Sequence, residues 1–381
     1  MLKGIRVIEL GTVITAPLAG MMLGDLGAEV IKVERPEGDP FRRSHGDTYG
    51  PTFLAYNRNK RSITLDLTDN RDLSVLLALV DRADVLLDNF RPSVLGKLNL
   101  APERLRRRNP RLIQCSITGF GSAGPYRDRP AFDGVGQALS GISSLFVNPD
   151  DPQAFGPTLS DNITGMYASC AILAALVERT RTGQGRRLEI NMLEASMAFI
   201  PDAFTNFTRS DTISEPLTRV AVSQSFLFRC GDNKLLAIHL STREKFWESL
   251  LSALEASELS VDKRFTKHLD RVENYQALRE ELARRFIVRS RPDWLQRLAD
   301  SDVPAAPVNN VAEALDDPQV HALGTVSEIR HPAQGVIRSI NCPVLVDGER
   351  PLNDMAPPPT LGEHTRDILS EATSGHSPNN S

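Results

Sequence analysis

Cysteine is scarce: the 381 residues hold four, and Cys115, Cys170, Cys230 and Cys342 form no C-x-x-C pair. Neither a disulfide framework nor a structural zinc site has its spacing, so reduced thiols in a cytoplasmic compartment are expected. A surplus of charge of one sign is also lacking, since 44 Lys and Arg stand against 48 Asp and Glu. The net charge of −4 gives no electrostatic case for nucleic acid or an anionic membrane surface. The longest apolar stretch, near residues 170–177, falls well short of the ~20 residues that span a bilayer. The first ten residues have neither the hydrophobic length nor the small-residue cleavage site of a signal peptide. Seven histidines show no H-E-x-x-H or other ligand spacing, and there is no G-x-S-x-G elbow. Metal catalysis and elbow-type serine hydrolysis are therefore unsupported, and no metal is expected.

What is present is ordinary globular material, 41% hydrophobic and 24% charged. At this length it predicts two to three domains of roughly 150 residues. Residues 5–10 read as a buried strand, 11–15 as a loop, Pro17 as the opening of a helix that stops at Gly27, and 29–34 as a second strand. Strand, helix and strand within about 30 residues make a parallel βαβ unit. The alternation continues with strands over 62–67, 83–89 and 111–118, and with a helix opened by Asp69-Asn70. A doubly wound α/β sheet follows, with its ligand at the carboxyl ends of the strands.

A long helix is predicted over 162–179, followed by a strand over 187–192. Residues 208–224 are polar and irregular and read as a linker. A hairpin at 226–240 and helices near 243–254, 274–287 and 291–300 form a second unit ending near 320. A strand-rich piece follows, then a polar tail over 373–381 that reads as disordered.

Three motifs bear on chemistry. Gly119-Phe120-Gly121-Ser122-Ala123-Gly124 fits a dinucleotide pattern, but Pro125 and Arg129-Pro130 leave no room for the helix whose N-terminus would hold a pyrophosphate. A tight glycine turn is the better reading. Asn57-Arg58-Asn59-Lys60-Arg61-Ser62 concentrates three cations before a strand, as either a solvated turn or a phosphate contact. The cations among residues 104–108 read as a solvated helix end, and Asp161 as the N-cap of the long helix.

Several segments, in order along nearly the whole chain, resemble the class III CoA-transferases. They are residues 2–10, 24–36, 57–67, 83–92 and 116–133, then Ser160-Asp161-Asn162-Ile163-Thr164-Gly165, and the closing 359–365. The resemblance implies a Rossmann-like large domain over 1–204 and 321–372, a smaller α+β domain inserted at 205–320, and an interlocked homodimer. It implies transfer of CoA from an acyl-CoA to a free carboxylic acid, with the CoA thioester as substrate and no permanently bound cofactor. Asp161 matches the catalytic aspartate, which the helix N-terminus would keep ionised. Ile14, Thr15, Arg35, Leu65, Asn89, Phe90, Arg91 and Lys97 match positions that hold CoA, and Asp133 one that orients substrate. Two departures stand out. Residues 223–233 lack the glycine run of the formyl-CoA transferases, and Phe132 replaces a common tyrosine. Racemases related to this family carry a histidine there, so an isomerase is the nearest alternative, and a non-catalytic acyl-CoA-binding protein the next. A succinyl-CoA donor with a C4–C5 dicarboxylic acceptor is the substrate pair expected.

Overall fold

The computed structural model describes residues 1–43, 49–352 and 354–373. His45, His376 and residues 374–381 of the tail expected to be disordered lie outside the described residues, while Thr373, its first residue, ends a helix. The chain divides into two compact units. One comprises residues 1–143, 154–201 and 324–381, the other 144–153 and 202–323.

In the larger unit the chain runs β1 (Arg6–Glu9), α1 (Thr15–Asp25), β2 (Glu29–Glu34), α2 (Pro51–Tyr56), β3 (Lys60–Thr64), α3 (Asn70–Val80), β4 (Val85–Asp88), α4 (Pro92–Lys97), α5 (Pro102–Arg108) and β5 (Ile113–Thr118). It continues with α6 (Asp133–Ser140), α7 (Leu159–Thr182), β6 (Arg187–Asn191) and α8 (Met192–Phe199). The six strands pair in parallel in the order β3-β2-β1-β4-β5-β6. Strand order reverses between β1 and β4, which opens a crevice at their carboxyl ends.

Alternation along the strands feeds two cores. Val7, Val30, Val85, Ile113 and Cys115 pack on α1 and α7, while Ile8, Ile31, Ile63 and Leu86 pack on α3 and neighbouring helices. The strand edges differ modestly from the sequence reading. β3 starts two residues early because Lys60 and Arg61 find carboxylates inside the fold, and α1 starts at Thr15 rather than at Pro17.

The main stretch of the smaller unit opens with α9 (Pro201–Ser210), most of which belongs to it, and α10 (Thr218–Ser223), so the polar 208–224 stretch expected to be a linker is partly helical. Then come β7 (Ser225–Arg229), β8 (Leu235–His239), α11 (Glu244–Leu254), α12 (His268–Glu273), α13 (Tyr275–Phe286), α14 (Arg291–Asp300), β9 (Ala305–Pro307), α15 (Val311–Leu315) and α16 (Pro318–Ala322). The antiparallel order β7-β8-β9 packs on a core rich in aromatics, with Phe228, Phe286 and Trp294 in contact. The chain then returns to the larger unit as the hairpin β10 (Val326–His331) and β11 (Gly335–Ile340) and as α17 (Thr365–Thr373), whose Ile368 closes the core over α3. No helix among the described residues is long and apolar enough to cross a membrane.

Candidate active site

The loop after β1 is forced into one shape. A Cβ on Gly11 would meet the Ala16 Cβ at 2.3 Å, so only glycine lets the chain turn into α1. Val13 sits at φ +71°, a costly conformation for a β-branched residue, and its N–H donates to Asp39 Oδ2 at 3.3 Å. Asn89, one residue past β4, holds the loop from the other side. Its Oδ1 accepts the Thr12 N–H at 3.0 Å, and its Nδ2 donates to the Thr12 carbonyl at 2.7 Å and Thr15 Oγ1 at 3.1 Å. Asp88 beneath it is buried, which pushes its carboxyl up to about 6 against the opposing hydrogen bonds of Ser116 and the Phe90 N–H.

These loops wall a cavity of about 300 Å³ at the switch point. Ile14, Thr15, Asn89, Phe90 and Arg91 line it together with Asp161 and Phe132. A second cavity of about 320 Å³ is lined by Arg35, Leu65 and Phe90. Thr12 and Phe90 border both, so the two form neighbouring stretches of one trough along the strand ends. Of the residues expected to hold CoA, only Lys97, exposed at the end of α4, lines neither. Arg127 and Arg129, not among the residues expected to hold CoA, also line the Asp161 cavity. Their signal was present as two cations in a loop directly after a strand, where an anionic ligand of an α/β sheet lies.

Asp161 is not the N-cap. That position belongs to Thr158, and Asp161 is the third residue of α7, buried at 7% exposure. Nor does the helix end keep it readily ionised. Burial, with the Asp133 carboxylate beside it, pushes its carboxyl up to about 7. Asp133 opens α6, and its Oδ1 accepts the backbone N–H of Asp161 at 3.1 Å. The first turn of α7 is therefore capped from 28 residues away by a second carboxylate. Gln137, one turn along α6, donates from Nε2 to Asp133 Oδ2.

The cations of 57–61 serve a different purpose from either one expected. Arg58 makes a buried pair with Asp25, its Nη2 donating at 2.5 Å. Lys60 Nζ is fully buried and donates to Glu9, the Pro17 carbonyl and Asn57 at 2.8–3.0 Å. Lys32 meets the same Glu9 at 3.1 Å and Asp39 at 3.1 Å, while Arg42 grips Glu34 at 2.6 and 2.8 Å. This network stands behind the Gly11 loop, whose carbonyl accepts from Lys32 at 2.8 Å. Arg106, Arg107 and Arg108 are exposed, as expected of a helix end, with Arg108 paired to Asp81, while Arg104 is half-buried. No helix follows Gly119-Phe120-Gly121-Ser122-Ala123-Gly124 until Asp133.

A six-stranded parallel sheet with a cation-lined cavity at its switch point and a basic carboxylate in the wall defines an α/β enzyme for an anionic, nucleotide-like ligand. The chain belongs to CoA-transferase family III, whose family model matches residues 2–365. It is a transferase that moves CoA between an acyl-CoA and a carboxylic acid. It is 34% identical over 378 residues to a mouse succinyl-CoA:glutarate CoA-transferase, covering 97% of this chain and 86% of that protein. A succinate–glutarate CoA-transferase of Agrobacterium fabrum is also 34% identical, over 390 residues, with 97% and 95% covered. Among solved structures, a CaiB/BaiF family protein from Brucella suis superposes with a TM-score of 0.86 at 34% identity, covering 97% of this chain and 99% of its own.

Proposed function

We propose that Asp161 carries the transfer covalently and that the preferred acids are small dicarboxylates. The observation behind the first claim is a buried carboxyl, held near 7, in the wall of the switch-point cavity. A carboxylate this basic is a stronger nucleophile than an exposed one. Asp161 Oδ attacks the thioester carbonyl; a C–O bond forms, the C–S bond breaks, and CoA leaves as thiolate. The thiolate then attacks the aspartyl carbonyl of the mixed anhydride, releasing the donor acid and leaving an aspartyl-CoA thioester. The acceptor carboxylate attacks that thioester, and the released thiolate takes the new acyl group and frees Asp161. Each step exchanges one activated acyl bond for another, so no activation is lost to water.

Arg91, Arg127 and Arg129 in the Asp161 cavity and Arg35 in its neighbour suit the phosphates of CoA, with Ile14, Thr15, Leu65, Asn89 and Phe90 shaping the trough. Lys97 would meet phosphate only beyond the trough's end. The dicarboxylate reading rests on relatives named for succinate and glutarate. Phe132 offers no proton acceptor where a racemase needs one, which favours transfer over isomerisation. The enzyme is further proposed to be a cytoplasmic interlocked homodimer with an inserted 205–320 domain. Exposed apolar side chains on α6, α7 and α8, among them Val135, Leu139, Met166 and Phe199, give a partner something to cover.

The test is an assay of the purified protein with succinyl-CoA and a panel of free acids, read by the mass of the new thioester. Glutarate and other C4–C5 dicarboxylates should be converted fastest. Uniform conversion of monocarboxylates would contradict the substrate reading.

A further inference from the structure

Gln137 has no role in the chemistry described so far, yet its surroundings are unusual. It is 2% exposed, and its Nε2 donates to two acceptors at once, Asp133 Oδ2 and the Pro157 carbonyl, the latter at 3.3 Å. Two acceptors on one nitrogen fix the orientation of the amide, and that orientation leaves Oε1 buried with no hydrogen-bond partner. A buried acceptor without a donor is costly, and a fold keeps one where the rest of the group is needed. Next to it, Gly136 lets α6 approach α7 so closely that a Cβ there would meet Ser160 Oγ at 2.3 Å. Ser160 Oγ is in turn hydrogen-bonded to Ser196 Oγ of α8 at 2.8 Å.

The result is a clamp on the start of α7. Asp133 holds the backbone N–H of Asp161, Gln137 holds Asp133, and the same amide nitrogen holds Pro157 on the segment leading into the helix. We propose that Gln137 is a positioning residue for the transfer reaction: by tying Asp133 to the Pro157 carbonyl it keeps the Asp133 carboxylate against the first turn of α7 and so aims Asp161 into the cavity. This rests on Asp161 being the nucleophile. The other charged groups lining the same cavity are Arg91, from the loop after β4, and Arg127 and Arg129, from the loop after β5. α8 lines the cavity with Met192, and α1 with Thr15.

Gln137→Leu keeps the volume and removes the donor. The expected result is a kcat lowered about 10- to 100-fold with the KM for succinyl-CoA within about threefold of wild type, as for an interaction that orients rather than binds. A residue that only held the fold together would lower the amount of active enzyme and leave the kcat of the folded fraction unchanged. Asp133→Asn and the double variant complete a cycle. If Gln137 acts through Asp133, the double variant should be scarcely slower than Asp133→Asn alone. Fully additive losses, or a Gln137→Leu variant whose KM rises as much as its kcat falls, would overturn the proposal. Asp161→Ala is run alongside: if it turns over like wild type, the nucleophile reading itself fails. If it is inactive while Gln137→Leu is indistinguishable from wild type, only the positioning role fails.

Discussion

Two of the places where the larger unit buries carboxylates are opposites. Behind the Gly11 loop, Glu9, Glu34 and Asp39 are each met by buried cations. Burial pushes the Glu34 carboxyl up, but the hydrogen bond from Arg42, with Lys32 nearby, outweighs it and leaves Glu34 below the usual range. At the start of α7, Asp161 has another carboxylate for its neighbour, and its carboxyl stands at about 7. The same residue chemistry thus fixes a loop in one place and, in the other, leaves the proposed nucleophile basic. Carboxylates neutralised by buried cations fit a structural role, whereas a carboxyl raised by a neighbouring carboxylate in a cavity wall fits the proposed chemistry.

The comparison breaks most completely at Asp161. Asp161→Ala should lower the transfer rate by at least about a thousandfold, as loss of a nucleophile does, while the folded protein remains. At the other site the expected loss is of stability. Arg42→Met strands the Glu34 carboxylate and removes the guanidinium from the Phe53 ring, 3.8 Å away. A cost of about 3–5 kcal/mol in urea unfolding is expected, with activity intact in whatever stays folded.

Titration sharpens the contrast. With Asp161 near 7, the rate should fall about tenfold per pH unit below that value, because only the ionised carboxylate attacks. Stability runs the other way for this group. Its folded value lies above the ordinary 3.8, so between about 4 and 7 the folded chain binds more proton, and stability falls as pH rises. Glu34, held low, contributes stability above the ordinary 4.5 that disappears as pH falls through its folded value. Asp161→Asn should therefore gain stability over wild type as pH rises from 5 to 8, which thermal melts across that range would show. The smallest effect is expected at Asn89, which holds the Gly11 loop by three hydrogen bonds. Asn89→Ala should raise the KM for the CoA thioester about tenfold with little change in kcat, the equivalent of one well-made hydrogen bond.

Much of this was legible in the sequence where the cause is local. β2 lies over Glu29–Glu34 as its apolar run predicts, α3 is capped by Asp69, and the helices near 243–254, 274–287 and 291–300 follow from periodicity. Asp161 was placed in the right turn but at the wrong position. The start of α7 is set by Asp133, and nothing adjacent in sequence announces a carboxylate arriving from another helix. The purpose of the cations at 58–61 is hidden from the sequence for the same reason, since their partners Asp25, Glu9, Glu29 and Glu371 come from four other elements. Gln137 could have been found, because it lies four residues from Asp133, one helical turn along the same face.

The central claim is that CoA passes through a covalent bond to Asp161. The most direct measurement is to incubate the enzyme with succinyl-CoA alone, trap with hydroxylamine, digest, and read the mass of the peptide carrying residue 161. A hydroxamate on Asp161, formed only when succinyl-CoA is present and absent from Asp161→Asn, is the predicted result. Continued CoA transfer with Asp161 unmodified, or with the label on another carboxylate, would contradict the account.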